Sequence, residues 1–564
     1  MGQIKGLQRL LFRIYDFEAL YLQGLALKGL EMYDEALDTL YRATWDYAWH
    51  SAAYLELARI SCIKGDFQKA LYQVNQSLST NSTNNSAIDL KAAIQRKLKD
   101  FDGARATLST ILENDPLDFR AANELYLIEK ANGVTRTSSE LLTTLTKKMR
   151  DFDQNYLYLA VGYLNDGLNA DAEEVLLRFK GKNQEIGYYL GYFQDLKGKK
   201  AEAERLFNAA SEQSIDYGFP FRLETVKVLE CATKYHPTDA KPYYYLGNLL
   251  FDKQPERAIS CWEKAVSLDP TIATAWRNLG WGYYQVNKDL TKAISAYEKA
   301  FAVKKDEPVY YAELDPLYEL NNTPIETRAK LFDSANEVVK KRDDSFVREI
   351  MVLNLAGQSE KSVEYLTNSN FHFREGSSRV RDITVDAHLL LGRKYLAEKK
   401  YKEALEQFLA TVETAENAGP GRKSGDARSP QINYFIGLAY EALGNKVKAN
   451  SYYTLSTTQT IRDANSMSYY QGLSFLKLKN KPKAESCFNG LIGDGEKRLK
   501  QGQDVDFFAK FGEKESTNVQ LSNAYLLIGL GKKGLGDTNA STKNLKKAVE
   551  LSASNLWAKI EVKE

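Results

Sequence analysis

The sequence predicts an all-α protein, a superhelical solenoid of paired helices with loop insertions. Three observations predict it. Small and large residues recur in one helical register from end to end, prolines number only 12 against 35 tyrosines, and a few stretches break the register with glycine, proline or charge. At 564 residues the chain also exceeds what one compact core usually organises, which leaves several domains or a repeat array.

The register is clearest in the middle. Trp276, Leu279, Gly280 and Tyr283 fall at helical spacing, followed by Ala293, Tyr297 and Ala300 at helical spacing again. One unit earlier, Tyr243, Leu246, Gly247 and Leu250 precede Ala258, Trp262 and Ala265, and Asp269-Pro270 closes the unit. Small residues at 247 or 280, and at 258 or 293, let two helices approach closely. The large residue between the alanines is expected to fill the gap to the next unit, and the closing proline to start a new helix. This resembles the tetratricopeptide repeat, two antiparallel helices in about 34 residues.

The same frame runs along the chain. Gly24, Leu27, Ala36, Leu40 and Ala43 mark a first copy, and Tyr54, Leu57, Ala58, Gly65 and Ala70 a second. Ala92, Ala104 and Leu108 mark a third, which closes at Pro116. Others centre on Tyr156 to Phe179, Leu190 to Ala210, His388 to Phe408, Gly437 to Tyr453, Gly472 to Phe488 and Gly529 to Ala548, with degenerate copies over 119–150, 308–341 and 344–368. The total is about thirteen units, well above the three a solenoid needs. The expected organisation is a tetratricopeptide array over 10–217, a second over 218–370, a charged connecting loop at 371–384, and a third array over 385–564. Insertions are expected at 414–430 and 490–517. Residues 211–222, SEQSIDYGFPFR, break the register with Gly218 and Pro220 ahead of an unpaired helical stretch. Insertions in such arrays tend to emerge on one face, often the binding face.

Composition excludes several classes of function. Basic and acidic residues number 76 and 74, a net charge of +2 with no basic block, which argues against binding nucleic acid by bulk charge. No apolar run is long enough to span a membrane, and the N-terminus lacks the pattern of a signal peptide. A cytoplasmic location is expected, or a periplasmic one if the chain is part of a longer exported protein. Cys62, Cys231, Cys261 and Cys487 lie far apart and read as free thiols. Of four histidines, His388 falls on a packing position, while His50 and His236 lie at repeat ends. No metal-ligand spacing, nucleophile motif or phosphate loop is present, so neither metal nor cofactor is expected. Asp343 or Asp344 is expected to cap a helix beginning near Phe346.

Several stretches go further: ATWDYAWHSAAYLELARI (43–60), NDPLDFRAANELYL (114–127), DYGFPFRLETVKVLE (216–230), WRNLGWGYY (276–284), RDDSFV (342–347), FHFREG (371–376) and ENAGPGR (416–422). Over roughly residues 10–460 they resemble a bacterial family that joins an N-terminal mutarotase-like β-sandwich of unknown function to a tetratricopeptide array. The resemblance implies that this chain matches the array alone, and that the array docks a carbohydrate-related domain. The family tends to have Pro-Trp where this chain has Phe373 and Arg374, so an aromatic that could stack on a sugar is missing.

Two sets of residues are candidate contacts. In peptide-binding tetratricopeptide domains, asparagines on successive first helices hold an extended backbone. Asn248 and Asn278 resemble such a pair, with Arg277 as a partial substitute for the basic clamp and Tyr244 and Tyr284 as aromatic lining. In FHFREGSSRVRD (371–382), His372, Arg374, Glu375, Arg379 and Arg381 could contact a partner or the absent domain. The expected function is a non-catalytic protein-interaction scaffold whose concave groove takes an extended peptide or partner protein. The alternative is an accessory part of a carbohydrate-active enzyme, with loops 371–382 and 416–430 completing a site on the β-sandwich.

Overall fold

The computed structural model describes residues 16–216, 218–369, 371, 378–417, 427–461, 464–501 and 517–563, the side chains of 378–379, 413–417 and 501 excepted. Among them are 31 helices and no strand, as the fold class requires. They fall into two compact units, residues 1–269 and 270–564. This division lies inside the middle array expected over 218–370.

In the first unit Phe17–Gly29 pairs with Tyr33–Ala43, Tyr47–Ile63 with Phe67–Thr80, and Asn85–Lys97 with Phe101–Asn114. Phe119–Ala131 pairs with Thr135–Met149, Asp153–Asn165 with Asn169–Leu177, and Gln184–Leu196 with Lys200–Ser211. Glu224–Tyr235 stands unpaired before the last pair, Ala240–Leu250 and Pro255–Leu268. In the second unit Ala273–Gln285 pairs with Leu290–Val303, and Pro308–Leu320 with a partner broken into Ile325–Leu331 and Asn336–Val339. Asp343–Leu355 pairs with Ser359–Thr367, Ser378–Ala397 with Tyr401–Asn417, and Ser429–Ala442 with Lys446–Ser456. Ser466–Lys477 with Lys481–Gln501 and Thr517–Gly534 with Thr538–Leu551 complete the array, and Leu556–Glu561 follows. The described residues thus hold fourteen pairs against about thirteen expected, and the weak copies over 119–150, 308–341 and 344–368 each form one.

A local rule turns several of the pairs. The first helix ends on a residue with positive φ, and an aspartate or asparagine next to it caps the second helix. Gly65 (φ 78°) precedes Asp66, whose carboxylate accepts from Lys69 N at 3.1 Å; Gly536 (φ 82°) precedes Asp537, which accepts from Ala540 N at 3.1 Å. Glycine meets no Cβ penalty there, and the cap satisfies an otherwise unpaired amide.

The small-large register packs in two directions. The large residue of the second helix sits over the glycine of its own repeat and also meets the unit that follows, as Phe408 does by stacking on Phe435 at 5.4 Å. A Cβ on Gly247 would run into Trp262, one on Gly280 into Tyr297, and one on Gly191 would lie 2.6 Å from Phe207. Tyr297 also reaches onward, donating to Glu313 of the next repeat at 3.0 Å.

Three boundaries move for physical reasons. The insertion expected from 490 is helical to Gln501, and Gly495 admits the neighbouring backbone there: a Cβ on it would lie 2.8 Å from Ala524 O. The charged connection expected over 371–384 becomes helix at Ser378, with Ile383, Thr384 and Val385 buried. The insertion at 414–430 is helical to Asn417 and again from Ser429, where Pro430 sits in the first turn. The expected cap also shifts. The helix starts at Asp343 with Arg342 at the N-cap, so both aspartates lie in its first turn, where their charge suits the helix dipole.

Candidate functional site

In the first unit, helices of different repeats are joined by a buried lattice of charges. Arg96 donates to Glu124 at 2.7 and 3.1 Å and to Asp171 at 3.0 Å, and Lys97 reaches Asp171 at 2.8 Å. Arg120 lies 3.5 Å above the Tyr163 ring and donates to Asp166 at 2.8 Å. Asp166 also accepts from Arg59 at 3.1 Å, although 107 positions separate them. Arg59 pairs with Glu56, which accepts from Lys28 at 2.7 Å. Burial alone would raise the Glu56 carboxyl; Arg59 and Lys28 hold it below its ordinary value. The backbones touch as well, since a Cβ on Gly167 would lie 2.7 Å from Ile63 Cα. These contacts tie together repeats that are not neighbours in sequence.

One carboxyl in this lattice is unbalanced. Asp89 is buried with an oxygen that has no hydrogen-bond partner. Burial, then Asp118, push its pKa up to about 8, against the opposing effect of Arg120; Glu124 and Asp166 push in the same direction as Asp118. A folded pKa above the unfolded one means the folded state holds the proton longer. The stability this contributes is full below about pH 4 and is lost as pH rises through about 8. The Asp89→Asn variant should therefore gain on the wild type between pH 5 and pH 8.5 in thermal unfolding. A gap that stays constant over that range would contradict it.

In the second unit the inner face is filled by the chain itself. Trp557 Nε1 donates to Asp386 at 3.0 Å, and its ring lies 5.7 Å from the Arg393 guanidinium and 5.8 Å from that of Arg428. Glu561 accepts from Arg393 at 3.0 Å and from Lys533 at 2.9 Å. Lys559 reaches Leu355 O at 3.0 Å, and Asn322 bonds both Glu550 O and Ala553 N, at 2.7 and 2.6 Å.

The described residues of the first unit do hold an open cleft, of about 730 Å³. Its floor is the start of Gln184–Leu196, where Gln184 and Glu185 are buried and Gln184 accepts from Tyr245 at 2.6 Å. Burial raises the Glu185 carboxyl above its ordinary range. Residues 212–214, 216 and 218–220 form the lip. Gly218 lets the chain cross the Tyr245 hydroxyl, from which a Cβ would be 2.5 Å. Asp153, Glu185, Glu212 and Asp216 line the cleft against a single lysine, Lys182. At the lip Phe219 is 70% exposed, and outside the cleft Phe221 and Leu223 follow at 67% and 80%. The candidate contacts in the sequence did not include these residues. The signal was GFPF, two phenylalanines in a helix-breaking insertion with no helical face to bury them.

The residues singled out in the sequence lie elsewhere. In the first unit Tyr244 is buried against Tyr245, and Asn248 accepts from Trp262 Nε1 at 3.0 Å within its own repeat. In the second unit Arg277 forms a forked pair with Glu313, donates to Asn278 at 3.2 Å, and Tyr284 packs against the core. His372, Arg374 and Glu375 lie outside the described residues, as does the side chain of Arg379. Arg381 is in a helix and donates to Thr411 O at 2.7 Å. His388 is buried and bonded to Gln407 at 2.8 Å, and burial lowers its pKa. Among the described residues, no helix is long and apolar enough to cross a membrane.

Residues 246–307 match the family model of the tetratricopeptide repeat. They cover one pair-to-pair junction of this register. Among similar solved structures is YrrB, described as a tetratricopeptide protein with an unusual peptide-binding site. It is 19% identical over 41% of this chain and 91% of that one, with a TM-score of 0.24. The APC/C hetero-tetramer Cut9–Hcn1 is 12% identical over 98% and 97%, with a TM-score of 0.25. Yeast Tom70 is 13% identical over 85% and 92%, also at 0.25. Likeness at this level bears on no site.

Proposed function

We propose that the chain is a non-catalytic protein-interaction scaffold whose first unit takes a basic partner segment in the cleft beside Glu212, Asp216 and Phe219. The observation that supports this reading is the cleft itself: four carboxylates and one lysine around a lip of exposed phenylalanine. Charge complementarity favours lysine or arginine in the partner, and Phe219 and Phe221 offer an apolar anchor of the kind that marks binding surfaces. A contact through Asn248 or Asn278 would require those side chains to leave Trp262 or Arg277. Docking of a sugar-related domain rests on the sequence resemblance alone.

The test is selection of a random displayed peptide library on the full chain. Enriched peptides should combine Lys or Arg with one large apolar residue, and should bind the Glu212→Lys/Asp216→Lys variant at least tenfold more weakly. Enrichment of neutral or acidic peptides, or indifference to the two substitutions, would sink the proposal.

A further inference from the structure

The second unit supports an inference independent of the cleft. The segment from Glu550 to Glu561 touches the first helices of successive repeats, or the residues that end them: Leu355, Asp386, Arg393, Tyr470 and Lys533. It is held by side-chain and carbonyl hydrogen bonds and by Trp557 and the fully buried Ala558, which pack into the hydrophobic core of the unit. A helix as short as Leu556–Glu561 does not form on its own in water, so it exists only by docking. The groups it leaves behind, Asp386, Arg393 and Lys533, are charged and can be rehydrated on its release. The face therefore has the composition of a receptor, and the docked segment shows what it reads.

We propose that this inner face is a binding site for a helical partner segment carrying a tryptophan and, four residues on, a carboxylate, and that Leu556–Glu561 occupies it in cis. Each element of the motif has a counterpart. Asp386 accepts the indole N–H, Arg393 and Arg428 face the ring, and Arg393 with Lys533 clamps the carboxylate. Position i+4 places Trp557 and Glu561 on one side of the helix, so a single docking satisfies both. A tethered occupant competes at an effective concentration of roughly millimolar, so only a partner that binds more tightly, or one that arrives once the tether is loosened, gains the site.

The experiment titrates a fluorescent peptide of residues 550–561 into the full chain and into the full-length Trp557→Ala/Glu561→Ala variant. The variant should bind at least tenfold more tightly than the wild type, and the peptide bearing Trp557→Ala should not bind it. Equal affinity for both proteins, or no binding by a variant with wild-type helical content, would overturn the proposal. Should the variant fail to fold, hydrogen exchange on the wild type decides. Amides of 556–562 should exchange at least tenfold faster than those of Thr517–Gly534, and exchange in one common step with that helix would overturn it.

Discussion

Asp315→Ala should lower the stability of the second unit by about 3–5 kcal/mol, the range for removing one member of a buried ion cluster. Asp315 is fully buried and accepts from Arg328 at 2.7 and 2.9 Å and from Arg348 at 2.6 Å. Without it two buried guanidinium groups face each other, and only Arg348 keeps a carboxylate, that of Glu319 at 2.5 Å. Arg328 retains the Ser554 hydroxyl, which cannot neutralise it. The loss should appear in urea unfolding and as accelerated hydrogen exchange within residues 270–564. Replacing the whole cluster, Asp315→Leu with Arg328→Met and Arg348→Met, should cost far less, because apolar groups of similar volume need no counter-charge. A single substitution no worse than the triple one would contradict this account.

Phe408→Ala should cost about 3–5 kcal/mol by a different route, the opening of a cavity. Phe408 is fully buried, lies over Gly392 of its own repeat, and stacks on Phe435 of the next at 5.4 Å. The ring fills the space that the missing Cβ of Gly392 leaves, so the two residues should be coupled. Gly392→Leu alone forces a side chain into that ring and should destabilise by about 1–3 kcal/mol. In the Phe408→Ala background the same change refills the hole, and the double variant should be more stable than Phe408→Ala alone. Additive losses in a double-mutant cycle would remove the pairing from the account.

The helix pairs were legible because their determinants are local. Glycine or alanine in one helix and alanine and an aromatic in the other all fall within one repeat. The inner faces were not legible, because their determinants are distant. Nothing near Arg59 announces Asp166, and nothing near Trp557 announces Asp386 or Arg393. Charged residues on a predicted helix read as solvated surface when each helix is considered alone. Asn248 and Asn278 were singled out by analogy of position; each has a partner within its own unit. The glycines at 490–495 read as loop, yet Gly495 serves close packing of two helices, a role that depends on a neighbour some thirty positions on.

The closed charge lattice of the first unit also fixes a number. In an open array each repeat meets only its neighbours, so evolution or an engineer can duplicate or delete a unit and leave the rest undisturbed. Here Arg59 must meet Asp166 and Arg96 must meet Asp171, across spans of 107 and 75 residues. One repeat more or fewer between them would carry the partners past each other and strand several buried charges at once. The count of units between Tyr47 and Leu177 is thereby locked, and length variation among related chains should fall outside that stretch.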